Sequence, residues 1–136
     1  MNLDFSDDQK LLQSEARKFL EKEQSLQRSR TVLDQQQALD TDLWQQIVAM
    51  GWTGIRIPEE YDGLGLGHLE LCVVAEELGR SLAPVPFSSS VYLFTEAIIK
   101  FASDEIKHYL NNKFGKENLT FEIGKLLNGK ELKFDN

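Results

Sequence analysis

The chain has 136 residues, 41% of them apolar and 27% charged, which is typical of a folded globular domain rather than a disordered segment. A formal net charge of -7 at pH 7 argues against binding to nucleic acid, which needs a basic surface, and it disfavours an anionic membrane surface. No apolar run approaches the roughly 20 residues that span a bilayer, so we predict neither a nucleic-acid nor a membrane partner.

The first predicted helix begins at a capping box, Ser6-Asp7-Asp8-Gln9, whose serine and glutamine side chains accept hydrogen bonds from free backbone N–H groups. Apolar residues then share one helix face up to about Gln24: Leu11, Leu12, Ala16, Phe19 and Leu20. The sequence before this helix resembles neither a secretory signal nor a transit peptide, which predicts a cytoplasmic location. Residues 25–39 are rich in Gln, Ser and Arg with weak periodicity, and we interpret them as a connection whose structure the sequence does not determine.

A second helix is predicted after a cap at Asp40 or Thr41, and Gly51 can take the left-handed conformation that ends it. Its apolar stripe consists of Leu43, Trp44, Ile47, Val48 and Met50. The loop that follows runs to His68, because Pro58 and three glycines interrupt any regular element there.

The third predicted helix covers residues 68–82 and has apolar residues around most of its circumference, which is typical of a central, enclosed helix. Only its charged residues are expected to face water, namely Glu70, Glu76, Glu77 and Arg80. Glu76 and Arg80 are spaced for a surface ion pair. Cys72 is the single cysteine and lies between apolar residues, so we expect it to be buried and inert.

Two more helices and a tail complete the predicted chain. The fourth helix covers about residues 88–102, and its inward positions are Val91, Phe94, Ala97, Ile98 and Phe101. The fifth begins at a Ser103 cap and carries Ile106, Tyr109 and Leu110 inward. We therefore predict a helical domain over residues 1–112 and a separate tail over 113–136, where Asn128-Gly129 is typical of a short β-hairpin.

Several short motifs have plain structural interpretations. The glycines of Gly63-Leu64-Gly65-Leu66-Gly67 are interpreted as turn formers, because a dinucleotide fingerprint needs a different third glycine and a preceding strand. We predict no metal site, since Glu105 and His108 form one copy of a di-iron motif that needs two copies and two further glutamates. The adjacent carboxylates of Glu59 and Glu60 are expected to be solvated rather than catalytic.

The order of these features resembles the N-terminal domain of the acyl-CoA dehydrogenases over about residues 3–117. The resemblance rests on these segments in order: Phe5-Ser6-Asp7-Asp8-Gln9, Leu43-Trp44, Met50-Gly51-Trp52, Ile57-Pro58-Glu59-Glu60-Tyr61, the glycine loop, Ala75-Glu76-Glu77-Leu78-Gly79-Arg80, Ser103-Asp104-Glu105 and Tyr109-Leu110. Asp62 departs from the pattern, because the family usually has glycine at this position. We therefore expect the loop to bend differently here. The segment Leu82-Ala83-Pro84-Val85-Pro86 resembles the branch that includes bacterial enzymes of steroid and fatty-acid catabolism.

The resemblance implies an all-α fold of five helices and a share in the binding of an acyl-CoA substrate. In the family a glutamate takes the α proton of an acyl-CoA thioester and FAD receives the β hydride. The N-terminal domain contributes a wall of the acyl pocket at the start of the fourth helix, which by position corresponds to Ser89, Ser90, Val91, Tyr92 and Phe94. Val91 and Phe94 also fit the helical stripe of an ordinary core.

In the family the flavin lies mainly against a middle β domain, and the base comes from a C-terminal helical domain. We therefore predict no catalytic residue in these 136 residues, identify no FAD-contacting residue, and expect FAD not to bind this chain alone. The first hypothesis is a truncated or split acyl-CoA dehydrogenase, a homo- or hetero-oligomer whose partner chain supplies FAD and the base. The alternative is a non-catalytic helical interaction module or the remnant of a truncated gene. Exposed apolar surface is expected in either case.

Overall fold

A computed structural model describes residues 4–110, and within this range the regular structure is helical with no strand. The helices are α1 (Asp7–Lys22), α2 (Ser25–Asp34), α3 (Thr41–Ala49), α4 (His68–Arg80), a π-helical segment (Ser88–Thr95) and α5 (Glu96–Phe101). Short 3-10 turns cover Trp52–Gly54 and Glu59–Tyr61, and residues 104–110 are helical again. The all-α fold class is confirmed. The predicted hairpin around Asn128-Gly129 lies outside the described residues, and the predicted domain boundary at residue 112 stays a prediction.

The chain divides into two compact units. Among the described residues, the first unit contains 4–46 and 66–85, and the second contains 47–65 and 86–110. None of the helices described within residues 4–110 is long and apolar enough to cross a membrane. The cytoplasmic location stays a prediction.

Local capping signals fix the start of α1 and both ends of α3. Gln9 N–H donates to Ser6 Oγ at 3.2 Å and Ser6 N–H donates to Gln9 Oε1 at 3.0 Å, so the predicted capping box is confirmed. Asp40 caps α3, because its Oδ1 accepts from Leu43 N–H at 2.9 Å. Gly51 follows α3 with φ +77°, the left-handed conformation predicted for its end.

Residues 25–39, whose structure the sequence left open, contain a helix, because Ser25–Asp34 form α2. Gln24 adopts φ +52°, which separates α2 from α1, and Ser25 and Val32 are the buried positions of the helix. Of these two buried residues only Val32 is apolar, so the helix has too weak an apolar stripe to be recognised from its sequence. The helix is held instead by the guanidinium of Arg28, which donates to the carboxylate of Asp40 at 3.1 and 3.2 Å.

The prediction that α4 is enclosed, with only its charges in water, is wrong in three respects. Glu77 has no exposed surface, whereas Cys72, expected to be buried, is exposed. Leu69 is 59% exposed. The helix therefore has one buried side, and Glu77 lies on it because Arg17 and Arg80 neutralise its carboxylate. The spacing predicted an ion pair between Arg80 and Glu76. Within the described residues Arg80 pairs instead with Glu77 and Glu21.

The loop before α4 is built around glycines in the second unit. A Cβ added to Gly63 would lie 2.0 Å from the carbonyl oxygen of Ile57, and Gly65 has φ +60°. Asp62 adopts φ +64°. Aspartate tolerates this left-handed conformation, so Asp62 takes a backbone geometry that glycine also favours.

The fourth predicted helix has the expected extent, but its first part is π-helical rather than α-helical. Its predicted inward face is partly wrong, because Phe101 is 79% exposed. Ile106 and Tyr109 of the fifth predicted helix were also expected to be buried, but they are 49% and 56% exposed. Met50, which follows α3 and was expected in its apolar stripe, is 38% exposed. Their expected burial came from periodicity alone, which does not indicate whether another element covers the stripe.

Candidate functional site

An apolar cavity lies within the second unit and has a volume of about 100 Å³. Six of the ten residues that line it are apolar, and the cavity is partly open to solvent. The lining residues are Ile57, Pro58, Glu60, Tyr61, Phe94, Thr95, Ile98, Ile99, Lys107 and Leu110. A concave apolar site with a few polar groups is the usual form of a small-molecule binding site.

An ion pair joins two walls of this cavity. Arg56 Nε donates to Glu96 Oε1 at 2.7 Å, and the two side chains are only 19% and 26% exposed. Arg56 directly precedes the lining residue Ile57, and Glu96 directly follows Thr95. The pair therefore connects the loop wall to the helical wall beside the cavity.

Two of the polar groups that line the cavity, the hydroxyl of Thr95 and the ammonium of Lys107, form hydrogen bonds with other protein groups. Thr95 Oγ1 donates to the carbonyl oxygen of Ser90 at 2.8 Å, and Lys107 Nζ donates to Asp104 Oδ1 at 3.3 Å. Desolvation first, and then the negative charges of Asp104 and Glu60, raise the pKa of the Tyr61 hydroxyl above its ordinary value of 10.0. Tyr61 is therefore neutral at physiological pH.

An aromatic contact lies beside the same cavity. The ring of Tyr61 contacts the ring of His108 with centroids 5.2 Å apart and planes inclined at 57°. Such a tilted arrangement is favourable for two aromatic rings. It joins the Glu59–Tyr61 turn to the helical residues 104–110, so a third element contributes to the wall.

The predicted acyl-pocket wall lies on the π-helical segment, but only its Phe94 lines the cavity. Ser90 and Val91 are buried, and Ser89 is exposed. Tyr92 is half-buried and packs edge-on against Phe87, with centroids 5.5 Å apart. The burial of Val91 agrees with the core interpretation, and the role of the five residues as an acyl-pocket wall stays a prediction.

The π-helical segment carries one unusual polar group. Ser90 is 1% exposed, and its hydroxyl has no hydrogen-bond partner among residues 4–110. Buried polar groups without partners are rare, and π-helical segments are often found at functional sites. Both features lie in the segment for which the resemblance predicted a substrate contact.

Sequence reasoning did not predict the cavity, although Phe94 and Leu110 among its lining residues were predicted to face inward. Ile98 was predicted to face inward, and Ile57 to Tyr61 formed part of the family resemblance, but nothing in the sequence placed these two segments together. The described part of the chain contains no group of three or more potential metal ligands.

Comparison with known proteins agrees with this architecture. The family model described as "Acyl-CoA dehydrogenase, N-terminal domain" matches residues 6–116. The chain is similar to acyl-CoA dehydrogenase FadE27 of Mycobacterium tuberculosis, with 36% identity over 72 residues, which cover 53% of this chain and 19% of that protein. It is also similar to acryloyl-CoA reductase (NADH) of Anaerotignum propionicum, with 29% identity over 108 residues, which cover 79% of this chain and 27% of the other.

Two further comparisons concern a plant enzyme and a solved structure. Mitochondrial isovaleryl-CoA dehydrogenase of Solanum tuberosum is 43% identical over 49 residues, which cover 36% of this chain and 12% of that protein. A chain in the crystal structure of the ChsE4-ChsE5 complex from Mycobacterium tuberculosis superposes with a TM-score of 0.65 at 20% identity, over 86% of this chain and 30% of that one. This likeness shows the fold. The matched region thus spans 12% to 27% of the length of these curated relatives.

Proposed function

Because the chain belongs to the acyl-CoA dehydrogenase family through its N-terminal domain, we propose that it contributes the N-terminal helical part of a flavoprotein that dehydrogenates acyl-CoA thioesters. The observation that carries this proposal is the family match over residues 6–116, which includes the capped helices, the glycine loop and the cavity-lining segments. We propose that this N-terminal part forms one wall of the acyl site. The proposed contacts with the acyl group are Ser89, Ser90, Val91, Tyr92 and Phe94.

The flavin and the catalytic base are proposed to come from polypeptide other than these 136 residues, either elsewhere in the same protein or on a partner chain. The cavity of about 100 Å³ does not fit FAD, because pockets for smaller, drug-sized ligands already measure roughly 300–1,000 Å³. Glu60 is the one carboxylate that lines it, and this side chain is exposed. An exposed carboxylate is not desolvated as a tuned general base would be.

Contact with further polypeptide is supported by exposed apolar side chains. Leu93 and Phe101 of the second unit are 71% and 79% exposed, and Leu33 of the first unit is 75% exposed. We propose that these side chains belong to contact surfaces, since exposed apolar surface of sufficient extent marks an interaction site. The similar chain of known structure was solved in a complex, which supports an oligomeric context for this chain. The acyl group is proposed to belong to fatty-acid or steroid catabolism, as the resemblance of residues 82–86 suggests.

The same exposed residues favour a second function, a helical interaction module without redox chemistry. The two functions are separated by co-expressing the chain with the products of neighbouring reading frames and recording the visible spectrum of the purified complex. We expect a yellow complex that dehydrogenates an acyl-CoA in the presence of an electron acceptor. A stable complex that is colourless and inactive with every acyl-CoA tested would contradict the proposal and favour the interaction module.

A further inference from the structure

We propose that a groove in the first unit binds the phosphate group of a small organic phosphomonoester. The groove has a volume of about 590 Å³ and is open to solvent. This size lies within the roughly 300–1,000 Å³ of sites for small molecules. The residues that line it come from α1, the first half of α2 and the end of α4, all of them in the first unit, so the inference does not rest on the proposed function.

The start of α2 supplies backbone donors at this groove. Gln24, which precedes the helix with φ +52°, makes no capping hydrogen bond through its side chain, and the first turn contains no acidic residue. The N–H groups of Ser25 and Leu26 have no acceptor among residues 4–110. Free N–H groups at the start of a helix carry partial positive charge and bind anions.

A buried hydroxyl without a partner lines the same groove. Ser25 is 1% exposed, and its Oγ forms no hydrogen bond within the described part of the chain. Burying a hydroxyl without a partner costs free energy, and a bound ion or water is a common reason for such a group in a native protein. A phosphate oxygen in the groove would supply the missing acceptor for this hydroxyl.

Arg30 supplies a positive charge that no carboxylate of the described chain neutralises. The other four of the five arginines form ion pairs, whereas Arg30 forms none with residues 4–110. Arg30 lies one turn after Leu26, and long side chains of a helix lean toward its N-terminus. Its guanidinium therefore extends toward the free N–H groups. The planar fork of a guanidinium matches the oxygens of a phosphate group and binds them through two hydrogen bonds.

The remaining charged residues at the groove form a neutral cluster with their partners. Arg80 Nη2 donates to Glu21 Oε1 at 3.2 Å, and Arg80 Nε donates to Glu77 Oε2 at 2.8 Å. Arg17 donates to both oxygens of Glu77. Two arginines and two glutamates cancel, so Glu21 does not offset the charge of Arg30. The groove therefore attracts an anion although the whole chain carries a net charge of -7.

The lining also indicates what carries the phosphate group. Leu20 and Leu26 line the groove beside the polar donors, and Leu26 is 50% exposed. Five heavy atoms of a free phosphate take roughly 150 Å³, if each takes the volume of a water molecule in the liquid. The groove is larger than that, and the two leucines offer apolar surface to the organic part of a phosphomonoester.

Amide NMR spectroscopy of the 136-residue protein in a phosphate-free buffer of constant ionic strength tests this inference. The probes are phenyl phosphate, inorganic phosphate and benzoate. We expect phenyl phosphate to shift the amide resonances of Ser25 and Leu26 saturably, and to bind about threefold more tightly than inorganic phosphate and about tenfold more tightly than benzoate. Absence of these shifts with both phosphates, or equal affinity for benzoate, would overturn the phosphate site. Equal affinity for inorganic phosphate would overturn the assignment to a phosphomonoester.

Matched variants link the binding to the groove. Arg30→Gln should weaken the binding of phenyl phosphate about tenfold. Lys18→Gln removes the same charge from an exposed position of α1 that does not line the groove, and it should change the affinity by less than about twofold. Equal losses in these two variants would show attraction by overall charge alone and would overturn the site.

The substitution Ser25→Ala separates a binding role from a structural one. Because the hydroxyl has no partner in the protein without ligand, its removal should not lower the free energy of unfolding in urea. The affinity for phenyl phosphate should nevertheless fall about fivefold. A Ser25→Ala protein that binds phenyl phosphate as tightly as the wild type would contradict the role of this hydroxyl as a ligand donor.

Discussion

Arg17 and Glu77 join α1 to α4 through two hydrogen bonds, from Nη2 to Oε1 at 2.6 Å and from Nε to Oε2 at 3.0 Å. Arg80 Nε also donates to Oε2, at 2.8 Å. The carboxylate of Glu77 has no exposed surface, so these three bonds replace the water that it would hold in the unfolded chain. The contact lies within the first unit and links residues that are 60 positions apart in the sequence.

Replacing Glu77 with glutamine should destabilise the protein. Glutamine keeps the shape of the side chain but loses the charge-assisted bonds, and it leaves two arginines without their shared partner. We expect the free energy of unfolding in urea to fall by about 2 kcal/mol, a moderate value because both arginines are partly exposed. Glu76→Gln at the exposed neighbouring position is the matched control and should change this free energy by less than about 0.5 kcal/mol. A Glu77→Gln protein as stable as the control would contradict the role of the buried carboxylate.

The stabilising effect of Glu77 should disappear in acid. The hydrogen bond from Arg17 is the largest cause that lowers the pKa of Glu77 below its ordinary value of 4.5. Because the folded pKa lies below the unfolded one, the contribution is fully present above about pH 4.5 and is lost as pH falls through the folded pKa. The stability difference between the wild type and Glu77→Gln, measured by urea unfolding from pH 7 to pH 3, should therefore stay constant down to about pH 5 and then shrink. A difference that grows toward acid would reverse the assigned sign.

The parts of the fold that sequence reasoning recovered are those with short-range causes. Ser6 and Gln9, Asp40, and Gly51 fix helix ends through bonds or dihedral angles within a few residues. Each of these signals acts between close neighbours in the chain, so composition and spacing were sufficient to recognise it.

The errors concern contacts between distant residues. Glu77 is buried because of Arg17, and α2 is anchored because Arg28 meets Asp40, and neither pairing leaves a periodic signal. The cavity depends in the same way on loop residues near Tyr61 meeting Phe94 across more than 30 positions. A single sequence contains the residues for such contacts but not their pairing.

Two glycine-to-alanine substitutions should have opposite effects. A Cβ at position 63 would lie 2.0 Å from the backbone oxygen of Ile57, so Gly63→Ala forces the loop apart and should lower the unfolding free energy by about 2 kcal/mol. A Cβ on Gly79 in α4 would meet no atom within 4 Å, so Gly79→Ala should raise it by about 0.5 to 1 kcal/mol through helix propensity. Thermal unfolding followed by circular dichroism measures both. Equal effects of the two substitutions would disagree with the close approach at Gly63.

The thiol of Cys72 should react in the folded protein. Cys72 lies on the exposed side of α4, so a thiol reagent reaches it without unfolding. We expect labelling of one thiol per chain by a maleimide under native conditions, at a rate within about tenfold of that in denaturant. The Cys72→Ser protein is the control and should not be labelled. Protection of the thiol until the protein unfolds would restore the buried interpretation of this residue.

The ion pair between Arg56 and Glu96 should contribute a measurable coupling energy. Its two side chains are mostly buried, so the pair is less screened by solvent than an exposed one, and a coupling of about 1 kcal/mol is expected. A double-mutant cycle with Arg56→Met and Glu96→Gln, followed by urea unfolding, isolates this value from the separate effects of each side chain. The exposed pair of Lys18 and Glu15 provides the comparison and should give a coupling below about 0.5 kcal/mol. The exchanged pair Arg56→Glu with Glu96→Arg should recover part of the loss of the single charge reversals. Since Arg56 and Glu96 join the two walls of the cavity, a cycle without coupling would mean that this ion pair does not hold the walls together.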